Sequence, residues 1–484
     1  MNVPDTVKVK LDSAGRMHSV LKQQKAAVRQ SPVPDAKMRI DRLRRLLDAL
    51  ASNEARIADA MMSDFGYRSR EQSYFAELMT TAKPLRTAIR KTAKWMRPER
   101  RSAGFPFNML GASAAVHYQP LGVVGCVSPW NFPINLSVSP LAGILSAGNR
   151  AMLKPSEVTP ASAALLEEMI SSAFDPSEIA VIQGDAETAK AFVELPFDHL
   201  LYTGGEVVAK SIMRSAADNL VPLTLELGGK SPVIVGQGAD LENAARKIIF
   251  GKIFNAGQIC LAPDHVYVRR ELLDAFAAAL GRAVEEMLPT QRAGKDVVSV
   301  VNRRHADRLR NYVTEARAQG AEIVEFPSSC NTDGPGRENI VPITLILDPD
   351  ASANIMREEI FGPLLPVVPY DQIEQVTHKI RQGAKPLALY YFGKSRGEMK
   401  SVLNNTQSGG VTINDVIMHY TIEDLPFGGV GPSGFGAYHG KSGFTQFSHA
   451  RAVYKQAAID VARPLRPPYG KAFEVMSRTL FRWS

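Results

Sequence analysis

From about residue 114 onward, short apolar runs alternate with stretches of helical periodicity, and this alternation limits the fold more than any other feature of the chain. "LGVVGCV", "RAMLK", "EIAVIQG", "DHLLYTG" and "PLTLEL" have strand length, and segments such as 160–173 and 206–217 between them have helical spacing. Strands separated by helices pair in parallel, and the helices then cover the sheet. A second series follows "ELGGK". Helices are expected over 240–254 and 271–288, the latter with Leu273, Phe276, Leu280, Val284 and Leu288 on one face. Strands are expected at "HVYV", "AEIVEF", "ITLIL", "LLPVVPY", "LALYYFG" and "GVTIN". The predicted class is α/β, with two units meeting near residue 226. Ahead of them, Leu43, Leu46, Leu47 and Leu50 predict an amphipathic helix over 36–62. The glycine-dense stretch Phe427 to Gly443 follows neither period and reads as a loop or crossover between the units.

The totals fit a soluble globular protein of two or three domains: 484 residues, 45% hydrophobic and 22% charged. Cys126, Cys260 and Cys330 leave an odd thiol and make no disulfide framework, so a reducing, cytoplasmic setting is expected. The opening "MNVPDTVKVK" lacks a signal-peptide core, and no apolar run is long enough to span a bilayer. A net charge of +8 is mild for this length. The densest basic run, "RKTAKWMRPERR", has few aromatic stacking partners and reads as a solvated or inter-domain face, so no nucleic-acid partner is expected. The basic tail "RPLRPPYGKAFEVMSRTLFRWS" suits contact with a membrane surface and is too charged to cross one.

Five segments carry side chains suited to chemistry. The G-x-G-x-x-G signature of dinucleotide folds is absent. In its place Tyr202-Thr203-Gly204-Gly205-Glu206 follows a strand and opens a helix, which suits a pyrophosphate and equally an ordinary turn. Lys154-Pro-Ser-Glu157 ends a strand, where a ribose can be held; a charged strand end with a helix cap reads the same way. Ser128-Pro-Trp130-Asn131-Phe-Pro133 offers either a turn residue or a rigidly held amide donor. Leu225-Glu226-Leu-Gly-Gly-Lys230 places a carboxylate beside glycines at a strand end, a boundary residue or a shielded base. "FNAGQICLAP" sets Cys260 just after a helical run, as a buried hydrophobe or a nucleophile.

Taken in order, with Glu358-Glu359-Ile-Phe361-Gly-Pro363 and "LPFGGVGPSGFGAYHGKSGFTQFSH", these segments resemble the aldehyde dehydrogenase superfamily over roughly residues 20 to 465. "GQICLAPDHVYV" and "LRPPYG" look most like its class 3 branch, and "INDVIMHYTIEDLPFGG" is most similar to coniferyl aldehyde dehydrogenases. The resemblance implies Cys260 as nucleophile, Glu226 as general base and Asn131 as oxyanion donor. It implies cofactor contacts from Trp130, Lys154, Glu157, Thr203, Gly204, Gly205, Glu359 and Phe361, and no metal. It implies an NAD(P)-binding domain (1–102 and 119–225), a catalytic domain (226–415), a bridging or oligomerisation element (103–118 and 416–462) and a tail (463–484). A homodimer follows from the bridging strands, one of them near "AAVHY". NAD is expected to serve at least as well as NADP, because the Glu157 carboxylate repels a 2′-phosphate.

One position departs from the family's phosphate turn: Ala209 stands where a second glycine is usual, and its methyl is expected to narrow the room between helix and cofactor. Tyr67, His419 and Tyr420 are candidates for the mouth of the substrate site. The expected reaction is oxidation of an aromatic aldehyde to its acid through a thiohemiacetal and thioester. The alternatives are an aliphatic aldehyde of medium or long chain, a CoA-acylating enzyme, a thiol hydrolase pairing Cys260 with His265, and a non-catalytic binding protein.

Overall fold

The strand-length runs assemble into two mainly parallel sheets, and the polar alternating segments into a third, small antiparallel one. The structure is a computed structural model that describes residues 5–105, 107–289, 295–326, 336–460 and 462–483, with only the backbone for 5–14 and 483. Cys330 lies outside the described residues. The first sheet runs in the order Gly434–Phe435, Leu223–Glu226, His199–Thr203, Val123–Val127, Arg150–Lys154, Ile179–Val181. All of its pairings are parallel except that of Gly434–Phe435. Chain order reverses between Val123–Val127 and His199–Thr203. A crevice opens at the carboxyl ends of strands at such a switch point. Ser128 and Gly204 are the residues that follow those two strands.

The second sheet runs Glu322–Glu325, Thr344–Leu347, Leu364–Tyr370, His265–Arg269, Pro232–Val235, Ala388–Phe392, Gly410–Ile413, with only its first pair antiparallel. Leu364–Tyr370 is buried along its whole length, as a helix-covered parallel strand requires. Pro232–Val235 had no place among the expected strands; "PVIV" is short and follows two glycines. One apolar cluster spans both sheets, joining Val124 and Cys126 to Val233 and Val266. The third sheet pairs Glu99–Arg101, Ser113–Pro120 and Ser448–Lys455, and its strands stay largely open to solvent. Among the described residues no helix is long and apolar enough to cross a membrane.

Two sequence expectations are revised. The helix expected over 36–62 is two helices, Ala36–Ser52 and Glu54–Phe65, broken at Asn53 (φ −114°). The apolar face continues across the break through Ile57, Met61 and Phe65, so periodicity alone did not reveal it. The glycine-dense stretch is more than a crossover: Gly434–Phe435 joins the first sheet beside Leu225–Glu226, and Gly440–Gln446 is a short helix. Gly434 sits at φ +122°, and a Cβ there would overlap the Leu225 carbonyl oxygen. A strand can pass this close only without a side chain. Gly434→Ala should therefore destabilise the protein by about 1–3 kcal/mol and lower activity along with Tm. Denaturant unfolding matching wild type would show that the pairing tolerates a methyl.

Candidate active site

Helix Leu241–Ile253 ends at Phe254, and the next three residues all turn left-handed: Asn255 at φ +50°, Ala256 at +51° and Gly257 at +68°. Such a conformation costs a residue with a Cβ about 1–2 kcal/mol, so the surroundings must hold it. Asn255 Nδ2 donates to the carbonyls of Asn131 (3.0 Å) and Gln258 (3.2 Å). Gln258 is buried and donates to the carbonyls of Asn255 (3.0 Å) and Ser299 (3.1 Å), while its Oε1 accepts from the Val301 N–H (2.9 Å). A Cβ at Gly257 would overlap the Gly362 carbonyl. The turn delivers Cys260 to the wall of an internal tunnel.

Asn131 meets this turn from the switch point of the first sheet. Its Nδ2 donates to the Gln258 carbonyl at 3.0 Å, which uses one of the two amide hydrogens. Its own carbonyl accepts from Arg68 Nη1 at 3.3 Å. Arg68 forms an ion pair with Glu77 at 3.0 Å, both fully buried, with a poor angle for a hydrogen bond. Glu77 in turn accepts the N–H groups of Ile134 (3.2 Å) and Asn135 (2.8 Å). The turn that carries Asn131 is thus gripped at both ends by one buried charge pair.

The tunnel holds a cavity of about 110 Å³, with Phe75, Phe132, Phe250, Phe254 and Tyr420 among its walls and both Glu226 and Cys260 exposed to it. Glu226 is 3% exposed, and neither carboxyl oxygen has a hydrogen-bond partner in the protein. Burial raises its pKa well above the ordinary carboxylate value. Burial also raises the Cys260 thiol, helped by the negative charges of Glu359 and Glu226 and opposed by the N–H groups of Cys260 and Leu261. At neutral pH the thiol is therefore protonated. Cys126 is raised by burial alone and sits in the core as a small hydrophobe.

A second cavity, of about 400 Å³, opens between the sheets and is lined by Gly205, Glu206, Gly228, Gly229 and Glu359 among others. Leu227 borders both cavities, so they are neighbours beside the end of the Leu223–Glu226 strand. Helix Glu206–Asp218 starts here with Gly205 as its N-cap and no side chain capping it, leaving N–H groups for an anion. The Gly204 N–H is already used on the Glu226 carbonyl (3.0 Å). Glu359 is half-buried, with its shielded Oε1 unpartnered, and desolvation of its carboxyl, opposed by the Gly229 N–H, pushes it up to about 7. Lys230 binds Asp264 (2.5 Å) and the Ile355 and Glu358 carbonyls (both 2.8 Å), which fixes the backbone beside Glu359. An uncapped helix start and a carboxylate with an unpartnered oxygen in one cleft suit the diphosphate and a ribose hydroxyl of a nicotinamide dinucleotide.

The other predicted positions fall around these two cavities. Thr203 lines the tunnel. Phe361 (φ +47°) meets Trp130 edge-on at 5.4 Å, and Trp130 packs on His305 at 5.2 Å. Lys154 is buried at the end of its strand, its Nζ donating to the Pro155 carbonyl (2.6 Å) and lying 3.9 Å from Glu157. Ala209 is 1% exposed and packs in the core with Leu200, Tyr202 and Leu225. Its burial in this core keeps it out of the lining of the cleft. Tyr67 is off the tunnel, with its hydroxyl on the Lys295 carbonyl (3.0 Å) and its ring under Arg337. His419 is also off it, bonded to Thr412 at 2.8 Å. Of the three mouth candidates only Tyr420 lines the tunnel, its hydroxyl 3.1 Å from Asn135 Oδ1. His265 borders the cleft and bonds Asp264 (3.1 Å), so it is no partner for the thiol. The sequence reading missed Asn135, Phe250, Phe254 and Tyr438. Only the i, i+4 spacing of the two phenylalanines hinted at a shared face.

The Aldehyde dehydrogenase family profile matches residues 5–453. The probable coniferyl aldehyde dehydrogenase of Caulobacter vibrioides is 48% identical over 94% of each chain. The coniferyl aldehyde dehydrogenase of Pseudomonas sp. strain HR199 is 47% identical over 93% of each. Among solved structures, the substrate-bound state of Staphylococcus aureus AldH superposes with a TM-score of 0.89, at 33% identity, covering 96% of this chain and 99% of that one.

The raised carboxyl of Glu226 has a consequence for stability. In the unfolded chain a glutamate ionises near its ordinary pKa of about 4.3, while in the folded protein it stays protonated to much higher pH. Stability therefore falls as pH rises from that value toward the folded pKa, then levels off. Glu226→Gln removes this loss, so the Tm of the variant relative to wild type should increase between pH 5.5 and pH 8. A Tm difference independent of pH would show that Glu226 is ionised in the folded protein.

Proposed function

The chain belongs to the aldehyde dehydrogenase family, and on that premise we propose how its residues share the oxidation of an aldehyde to its carboxylic acid. The observation that carries the reading is that Cys260 and Glu226 face one apolar tunnel, and that neither carboxyl oxygen of Glu226 has a partner in the protein. The Cys260 sulfur attacks the aldehyde carbon as its thiolate, the thiol proton passing to water. Negative charge gathers on the former carbonyl oxygen, where the second amide hydrogen of Asn131 and the Cys260 N–H stabilise it. One such donor is worth about 3 kcal/mol. The nicotinamide cofactor, when bound, supplies the hydride acceptor that turns the thiohemiacetal into a thioester. Glu226 then takes a proton from the water that attacks the thioester, and the acid leaves with Cys260 restored.

On the cleft side, the free N–H groups after Gly205 and the adjoining Gly204 turn take the diphosphate, and the unpartnered Glu359 oxygen takes the nicotinamide ribose. Trp130, Thr203 and Phe361 shape the nicotinamide pocket. Lys154 and Glu157 meet the adenine ribose, and the Glu157 carboxylate favours NAD over NADP. In this reading 1–102 and 119–225 bind cofactor, 226–415 carry Cys260, and 103–118 with 416–462 bridge subunits of a homodimer, ahead of the 463–484 tail. The free edge of strand Ser448–Lys455 in the small sheet supports that assembly. Free thiols at Cys126 and Cys260 support a reducing, cytoplasmic setting.

The substrate we propose is a planar aromatic aldehyde of the cinnamyl class. Aromatic tunnel walls favour stacking and edge contacts with a flat ring, and the coniferyl aldehyde dehydrogenases named above act in the same sense. NADH production should be faster, as kcat/KM, with cinnamyl and benzylic aldehydes than with long aliphatic ones. Preference for long aliphatic aldehydes overturns the substrate reading, and a requirement for CoA overturns hydrolysis.

Two variants test the chemistry. Cys260→Ala should abolish oxidation while cofactor binding and fold persist. Glu226→Gln should give a pre-steady-state burst of NADH approaching one per site, an acyl mass on Cys260, and steady turnover lowered about 10²–10⁴-fold. Near-normal turnover in Glu226→Gln removes it from the mechanism.

A further inference from the structure

Tyr438 is the other buried polar group in the tunnel that its own protein leaves without a partner. Most of the tunnel's polar side chains are engaged: Asn135 donates to Thr80, Thr81 and Ser139, and Tyr420 bonds Asn135. Thr421 donates to the Met418 carbonyl. Against these, the hydroxyl of Tyr438 and both oxygens of Glu226 are buried and unpaired. A buried phenol normally finds a partner, because leaving one unmade costs its full desolvation. The ring is held firmly, edge-on to Phe427 at 5.7 Å and to His439 at 5.3 Å, and its backbone N–H donates to the Phe427 carbonyl at 2.8 Å.

We propose that Tyr438 is a further catalytic residue, whose hydroxyl donates to the hydrolytic water that Glu226 activates and so places it against the thioester. A water held at a buried site needs two to four polar partners, and Glu226 with Tyr438 supplies an acceptor and a donor in one cavity. The water gives one proton to Glu226 and its oxygen forms a bond to the acyl carbon. The C–S bond breaks with its electron pair passing to the Cys260 sulfur, and Glu226 returns the proton to that sulfur as the acid leaves, which restores the thiol and the carboxylate. Through this step the Tyr438 O–H keeps its own proton and stabilises the oxygen as it becomes hydroxide-like. Burial, with the charges of Glu226 and Cys260 among the contributors, holds the phenol well above its ordinary pKa, so it remains a donor at every working pH.

The proposal rests on the reading of Glu226 as the deacylating base, and Tyr438→Phe tests it separately, since the ring and its edge contacts are retained. With cinnamaldehyde and excess NAD, the variant should keep a full NADH burst. The acyl mass on Cys260, followed by quench and mass spectrometry, should decay about 10- to 100-fold more slowly than in wild type. Added hydroxylamine, which brings its own nucleophile, should clear the adduct as fast in the variant as in wild type, and Tm should not fall. A wild-type decay rate overturns the proposal, as does loss of the burst, which would put Tyr438 in acylation instead. Glu226→Gln run in parallel separates the two readings. If it blocks decay and Tyr438→Phe does not, only the role of Tyr438 falls; if it decays normally, the reading of Glu226 as base falls first.

Discussion

The left-handed turn at Asn255–Gly257 is the constraint on which the site depends. It is costly, and it exists because amide groups cross between the two sheets: Asn255 and Arg68 hold the Asn131 carbonyl, and Asn131 holds the Gln258 carbonyl. The same hydrogen bonds set the positions of the thiol and of the side-chain amide proposed to face its oxyanion. Neither can move without the other, which is the preorganisation that electrostatic stabilisation of a transition state requires. The buried Arg68–Glu77 pair extends this grip into the helical region that precedes the first sheet.

The two cavities are neighbours beside the end of the Leu223–Glu226 strand, with Leu227 between them in both linings. The tunnel is lined mostly by aromatic and aliphatic side chains, and the cleft is rich in glycine backbone and includes Glu359, whose Oε1 is unpartnered. Burial without pairing is expensive for Glu226, whose carboxyl oxygens find no partner in the protein. Burial raises Glu226 and the Cys260 thiol and so makes their conjugate bases strong when a proton is moved, an arrangement that favours turnover over stability.

The sequence was most informative where a residue's local setting carries its meaning. Strand-helix alternation gave the α/β class and the strands of the two large sheets except Pro232–Val235 and Gly434–Phe435, and Cys260, Glu226 and Asn131 stood out through the resemblance their segments carry together. It was least informative where a side chain's direction decides the matter. Ala209 sits one helical turn past a cofactor-suited helix start, yet it is buried in the core. Tyr67 and His419 lie in promising segments and face elsewhere, while Tyr438, inside a glycine-dense loop with no period to read, faces the tunnel. Pro232–Val235 was missed because a four-residue strand shows too few alternations to register.

By itself, then, the sequence determined the layered fold, since hydrophobic period and turn residues act over a few neighbours and need no distant partner. It also determined which residue types are present for thiol and carboxylate chemistry. Only the tertiary structure decided that Glu226 and Cys260 share a tunnel, that Glu359 faces a separate cleft, and that Glu226 is buried without a partner. Those facts arise from contacts between segments far apart in the chain, and burial of a charge-bearing group is a property of everything packed around it.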